Sequence, residues 1–259
     1  MANRLHVIKL GSAIVDNPNR LAICLQQFSK LASPKILLHG GGKLATSLSE
    51  RLGLTPTFIE GRRITDSDTL DVAIMVYAGL INKKIVSALN QLGGQAIGLC
   101  GADLKLVTSK KRDIIPIDYG FVGDVEEINV AMFSQLFALD WQPVISAITW
   151  SPKDGLLNTN ADSLGSVLAN KLSKDYDVSL QLVSENSGVL SDLSDPDSLI
   201  RTITAEDYAF LKSSGAISGG MIPKLDGAFA ALKVGIKEIW ITGEVVSSGD
   251  VVGTKISLS

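Results

Sequence analysis

Short apolar runs rich in β-branched residues alternate along the chain with longer amphipathic segments. The runs "RLHVIKL" (4–10), "KILLHG" (35–40), "QAIGLCG" (95–101), "WQPVISAI" (141–148), "VSLQLVS" (178–184) and "KEIWIT" (237–242) predict strands. Between them, helices are predicted at 20–32, 43–53, 161–172, 205–215 and 223–235, and a long one over about 66–92 with Leu70, Ile74, Tyr77 and Ile81 on one face. The stretches "LKLVTS" and "DIIPIDYGFVGDVEEI" predict hairpins lying off the main sheet. Strands alternating with helices predict an α/β protein, a mostly parallel central sheet sandwiched by helices in three αβα layers. A polar stretch near 174–177 marks a soft boundary, so two lobes sharing one sheet are expected, about 1–174 and about 175–259.

Composition narrows the function classes. The chain has 259 residues, 46% hydrophobic and 20% charged, enough for a sizeable core. A formal net charge of −3 argues against a basic nucleic-acid binder. Cys24 and Cys100 lie far apart without metal-ligand spacing, and read as reduced thiols of a cytoplasmic protein. No metal-ligand cluster is expected, and no apolar run approaches the ~20 residues of a membrane span.

The chemistry gathers where strands end. In an open parallel sheet, ligands collect at the carboxyl ends of the strands. "IKLGS" (8–12), "HGGGK" (39–43) and "ITGE" (241–244) stand at such ends, and "SGGMIPK" (218–224) precedes a helix. Gly40, Gly41 and Gly42 before a helix let backbone N–H groups approach an anion closely, although one tight turn would need only one glycine. The spacing is neither that of a Walker loop nor G-x-G-x-x-G. Lys9 sits between Ile8 and Leu10 in a strand expected to be covered on both faces, where an unpartnered lysine is rare. Lys224 falls in a first helical turn, which disfavours a cation unless an anion is near. Asn158, Asn160 and Asp162 alternate at a helix mouth, and N-capping by Asn160 explains only one of the three.

"IKLG", "LHGGGK", "GRRITD", "LLNTNAD" and "GGMIPK" occur in the order and at the spacings of the acetylglutamate kinases, and the chain resembles that group of the amino acid kinase family over nearly its whole length. "VYAGLINKKIV" (76–86) and "DYGFVGDVEEI" (118–128) resemble most a branch associated with N-succinyl-glutamate. The resemblance implies ATP-dependent phosphorylation of the γ-carboxylate of an N-acyl-L-glutamate in arginine biosynthesis. It implies Lys9 and Lys224 on the transferring phosphoryl group, Asp162 orienting both lysines, and Gly41, Gly42, Arg63 and Asn158 on the acyl-glutamate. Lys9, Gly11, Ser12, Gly219 and Gly220 would face the nucleotide, with Mg²⁺ entering through its phosphates.

Three positions depart from the family pattern: Ser12, Gly219 and the pair Glu185–Asn186. All bear on the nucleotide side and leave the acyl-glutamate side intact. The Ser12 and Gly219 departures keep open a catalytically silent ligand sensor of the same fold; the enzyme alternative is a kinase of another amino acid or of carbamate, against which "GRRITD" and "LLNTNAD" together weigh. Arginine-inhibited relatives carry an extra helix before the first strand that joins dimers into a hexamer. Here the first strand begins within a few residues of Met1, so a homodimer that arginine does not inhibit is expected.

Overall fold

The computed structural model describes residues 3–59, 62–217, 221–247 and 251–259. Its centre is one eight-stranded sheet in the order Thr202–Ile203, Gly253–Ile256, Glu238–Thr242, Asp177–Val183, Arg4–Leu10, Lys35–His39, Gln142–Ser146, Ala96–Leu99. The six strands from Glu238–Thr242 to Ala96–Leu99 are parallel, while Gly253–Ile256 runs antiparallel to its neighbour and reverses that edge. Burial on both faces explains why the inner strands read as continuous apolar runs. In register, Lys9 lies between Leu38 and Leu182.

Alternation along the strands divides the core in two. Leu5 and Val7 face a cluster with Leu164, Leu168, Phe133, Leu225 and Phe229, from helices Ala161–Leu172, Val130–Ala138 and Met221–Lys233. Ile8, Leu10 and Leu37 face Cys24, Phe28, Val76, Ile81, Ile85 and Leu89, from Pro18–Lys30 and the long helical segment Ser67–Gln91. The three expected layers follow from this alternation of period two. Full burial of each such aliphatic side chain contributes roughly 1.5–3 kcal/mol.

Several helix starts carry side-chain caps, whereas those at Gly11 and Gly41 carry none. Asn17 accepts from the N–H groups of Asn19 and Arg20, with Pro18 at the first helical position, and Asp66 accepts from Thr69 N–H at 2.8 Å. The expected off-sheet hairpins form a separate four-stranded sheet, Gly155–Asn158, Ile148–Ser151, Val107–Lys111, Gly123–Ile128.

Several elements were not legible. Helix Val130–Ala138 is apolar nearly all round, so it shows no stripe of period 3.6. The hairpin Ile148–Ser151 with Gly155–Asn158 and the edge strands Thr202–Ile203 and Gly253–Ile256 are too short to show a pattern. Helix Ser67–Gln91 is long and apolar enough, by length and composition, to cross a membrane, contrary to the expectation that no run approaches that length. It is a core-covering helix here, with Val72, Val76, Ile81, Ile85 and Leu89 buried against the sheet. Nor is it a regular α-helix: Ile74–Ile81 forms a π-helical segment. Five residues of α-helix turn to about 140° from the starting direction. The i→i+5 pattern instead stacks residues five apart on neighbouring turns, so Tyr77 and Asn82 are both buried.

Candidate functional site

A cleft of about 390 Å³ opens at the carboxyl ends of strands Arg4–Leu10 and Lys35–His39. Gly40, Gly41 and Gly42 form part of its wall, with Lys9, Ser12, Arg63, Asn158 and Asp162. Segments scattered along the sequence, from Lys9 to Asp162, thus meet in one place.

Each glycine of the triplet has a different constraint. A Cβ at Gly41 would lie 1.7 Å from Cε1 of Tyr77, so the ring rests directly on this backbone. Gly42 has φ +45°, and a Cβ there would lie 2.5 Å from Cβ of Ser12. A Cβ at Gly40 would meet only Cβ of Ala161, at an ordinary 3.8 Å. Gly42 opens helix Gly42–Arg51, so its N–H has no partner within the helix. Among the described residues, no acceptor lies on the N–H of Gly41 or Gly42.

Lys9 and Lys224 converge on one oxygen. Their Nζ atoms lie 2.8 and 3.2 Å from Oδ1 of Asp162. Asp162 occupies the first turn of Ala161–Leu172, which Asn160 caps by accepting from Ser163 N–H at 2.9 Å. The cap thus accounts for Asn160, as the sequence suggested, and the anion near Lys224 is supplied in part by the protein itself. Burial by itself would raise the Asp162 carboxyl, but the charges of Lys9 and Lys224 outweigh it and hold the group well below the usual carboxylate range. Burial, followed by the repulsion of Lys9, lowers the Lys224 ammonium despite the attraction of Asp162. Two cations against one carboxylate leave a net positive charge where the lysines are 7% and 9% exposed. Such a site favours a further anion. Lys35 is a useful contrast: also buried, it donates to the carbonyls of Phe28, Ser29 and Leu31 and is satisfied by backbone alone.

Arg63 supplies a second cationic point. Its Nη2 donates to Oγ1 of Thr46 at 2.9 Å, and its guanidinium lies 4.6 Å from the ring centre of Phe58. Nη1 is buried without a hydrogen-bond partner among the described residues, an arrangement suited to a carboxylate ligand. Asn158 donates from Nδ2 to Oγ1 of Thr65, which donates to the Arg63 carbonyl at 3.1 Å. Asn158 and the Arg63 backbone are therefore fixed to each other.

The nucleotide-side expectations divide. Ser12 lines the cleft, whereas the Gly11 N–H is already donated to the Val183 carbonyl at 2.8 Å. Gly219 and Gly220 lie outside the described residues. Glu185 lines a second hollow of about 440 Å³ with Arg20, Ser187, Gly243 and Glu244, where the "ITGE" stretch ends its strand. Among the described residues, no cluster of three His, Cys, Asp or Glu side chains comes together to hold a metal ion. Sequence reasoning missed Thr46, Phe58 and Tyr77. Thr46 and Phe58 carry no signal of their own, and Tyr77 read as one member of an apolar stripe.

A mostly parallel sheet with a glycine-walled cleft at its carboxyl end and a lysine–aspartate–lysine cluster beside it is an α/β arrangement suited to binding anions. Residues 4–243 match the sequence pattern of the amino acid kinase family, and the chain belongs to that family. Relatives that match over nearly full length are acetylglutamate kinases. That of Phocaeicola vulgatus is 43% identical, covering 93% of this chain and 94% of its own. That of Cytophaga hutchinsonii is 43% identical over 98% of both. Among solved structures, the protein smu.665 of Streptococcus mutans superposes with a TM-score of 0.79 at 24% identity, covering 98% of this chain and 99% of its own. N-acetylglutamate synthase of Neisseria gonorrhoeae superposes with a TM-score of 0.81 at 18% identity, covering 99% of this chain and 59% of its own. These two likenesses concern the fold.

Proposed function

We propose that this protein transfers the γ-phosphoryl group of ATP to the γ-carboxylate of an N-acyl-L-glutamate, the activity that the name of its closely matching relatives carries, as an early step of arginine biosynthesis. One observation supports this above the rest: two buried lysines share a single carboxylate oxygen beside a cleft that also holds Arg63 with an open nitrogen.

The acceptor carboxylate is ionised at neutral pH, so no general base is required. One of its oxygens forms a bond to the γ-phosphorus as the bond to the β,γ-bridging oxygen breaks. ADP leaves with that electron pair, and an acyl phosphate remains. Bringing two anions together is the difficulty, and catalysis is positioning and charge stabilisation. Lys9 and Lys224 stabilise the phosphoryl oxygens, and Asp162 holds the two ammonium groups in place. Gly41 and Gly42 offer N–H donors, while Arg63 and Asn158 hold the α-carboxylate end. Mg²⁺ would enter with the nucleotide and supply charge neutralisation for its phosphates, since no carboxylate cluster among the described residues is built to hold the ion by itself. The acyl-glutamate belongs to the lobe of about 1–174 and the nucleotide to that of about 175–259. Lys43 and Arg62 line the same cleft, so an additional carboxylate on the acyl group, as in N-succinyl-glutamate, finds cations there. A homodimer across helix Ser67–Gln91 fits its exposed Met75 and Leu80, and the free thiols Cys24 and Cys100 fit the cytoplasm.

Hydroxylamine trapping of the acyl phosphate, run side by side with N-acetyl- and N-succinyl-glutamate, tests this function and selects the acyl group. Absence of hydroxamate with either, alongside binding of either, would favour the ligand sensor.

A further inference from the structure

His39 ends the strand Lys35–His39 immediately before the glycine triplet, and it is completely buried. Its Nδ1 lies 2.9 Å from the carbonyl oxygen of Gly40, and its Nε2 lies 3.1 Å from Nδ2 of Asn82. A carbonyl only accepts, so Nδ1 carries the proton. The Asn82 Nδ2 group is a donor, so Nε2 carries none. Asn82 is itself fixed, since the same Nδ2 donates to the Val144 carbonyl at 2.9 Å and its Oδ1 accepts from Lys83 Nζ at 3.2 Å. The ring is a neutral imidazole in one tautomer. Burial pushes its pKa down to about 4, in agreement with that assignment.

The direction of the Gly40 carbonyl matters for the cleft. Leu37 and His39 share the sheet face covered by Ser67–Gln91, whereas Lys9 lies on the opposite face, with Leu5 and Val7. Among the described residues the only cis peptides are Ser33–Pro34 and Ile115–Pro116, so the Gly40–Gly41 peptide is trans. In a trans peptide the C=O and N–H point opposite ways. Drawing the Gly40 oxygen toward His39 therefore sends the Gly41 N–H away from the long helix, toward the face that carries Lys9 and Asp162. That N–H has no acceptor among the described residues. A hydrogen bond to its carbonyl also polarises the peptide and strengthens the N–H as a donor.

We infer that His39, locked by Asn82, is a positioning residue that aims the Gly41 N–H at the substrate anions of the cleft. The inference rests on the phosphoryl-transfer function proposed above. The π-helical segment Ile74–Ile81 is part of the device. It lets one helix press Tyr77 onto Gly41 from one turn and present Asn82 to His39 from the next.

Two variants separate positioning from packing. Asparagine can place an amide N–H where Nδ1–H stands, whereas glutamine places its amide near Nε2. His39→Gln is expected to lower kcat in the hydroxamate assay roughly 10²-fold, as for loss of one well-aimed donor. His39→Asn restores the larger part of that loss, with KM for ATP little changed in both. Equal kcat in the two variants, at a temperature where both are folded, overturns the inference while leaving the kinase function standing. Absence of hydroxamate from the wild-type protein overturns both. A measurement free of folding losses accompanies these. The chain has two histidines, so His6→Gln leaves His39 alone in a ¹⁵N-histidine spectrum. The Nδ1-protonated tautomer, without titration between pH 6 and 8, is expected. An Nε2-protonated ring, or one titrating near 6.5, overturns the inference.

Discussion

Alanine at position 41 probes the closest packing in the cleft. The new Cβ would lie 1.7 and 1.9 Å from Cε1 and Cδ1 of Tyr77. Carbon atoms rest at about 3.5–4.0 Å, so roughly 2 Å of separation must be found. Tyr77 cannot easily retreat, because it is 7% exposed and its neighbours Val76 and Ile81 are buried with it. The glycine backbone must then move, and a misplacement of about 1 Å at a reacting site costs on the order of 10²-fold. Gly41→Ala should therefore lower kcat/KM for the acyl-glutamate at least about 10²-fold, with a stability loss of about 1–3 kcal/mol from overpacking. Steady-state kinetics and urea unfolding measure the two separately. Gly40→Ala is the matched control, with an ordinary 3.8 Å contact, and should stay near wild type. The double variant Gly41→Ala/Tyr77→Ala removes the opposing ring and should lose less than the sum of the singles. A Gly41→Ala protein with wild-type kcat/KM, or one no worse than Gly40→Ala, would refute the assignment of this backbone to the site.

Three further outcomes are expected. Lys9→Ala and Lys224→Ala should each lower kcat roughly 10²-fold or more in the hydroxamate assay; near wild-type turnover in either removes that lysine from the phosphoryl site. Arg63→Lys keeps the charge but loses the fork held by Thr46, so KM for acyl-glutamate should rise far more than KM for ATP, and equal rises would make Arg63 structural. His39 titrates near 6.5 when unfolded but at about 4 when folded. The unfolded chain takes the proton first, so this contribution is fully present above pH 6.5 and is lost as pH falls toward 4, by about 3 kcal/mol. His6, lowered by burial and by the charges of Arg4 and Lys35, acts in the same sense. Urea unfolding of wild type against His39→Asn across pH 4–7 isolates the His39 part, and identical pH slopes would refute it.

Local rules acting on local sequence determined much of this protein. Short apolar runs and the intervening amphipathic helices specified the layered sheet, because both are properties of a few consecutive residues. The same reasoning placed Lys9 at the end of a buried strand, the glycines at a strand–helix junction and Asn160 as a cap. Motif order along the chain then tied these to Asp162, Arg63 and Lys224, residues far apart in sequence. Tertiary structure alone decided which glycine is sterically bound to its partner, since that depends on Tyr77 arriving from another helix. It alone showed that Lys9 and Lys224 share one oxygen, that Thr46 and Phe58 hold Arg63, and that Asn82 fixes the tautomer of His39. The π-helical segment explains part of the gap: the periodicity of the sequence is that of an ordinary helix, and i→i+5 bonding was chosen by what the helix packs against. Contacts of this kind depend on distances between segments, and a one-dimensional pattern does not carry them.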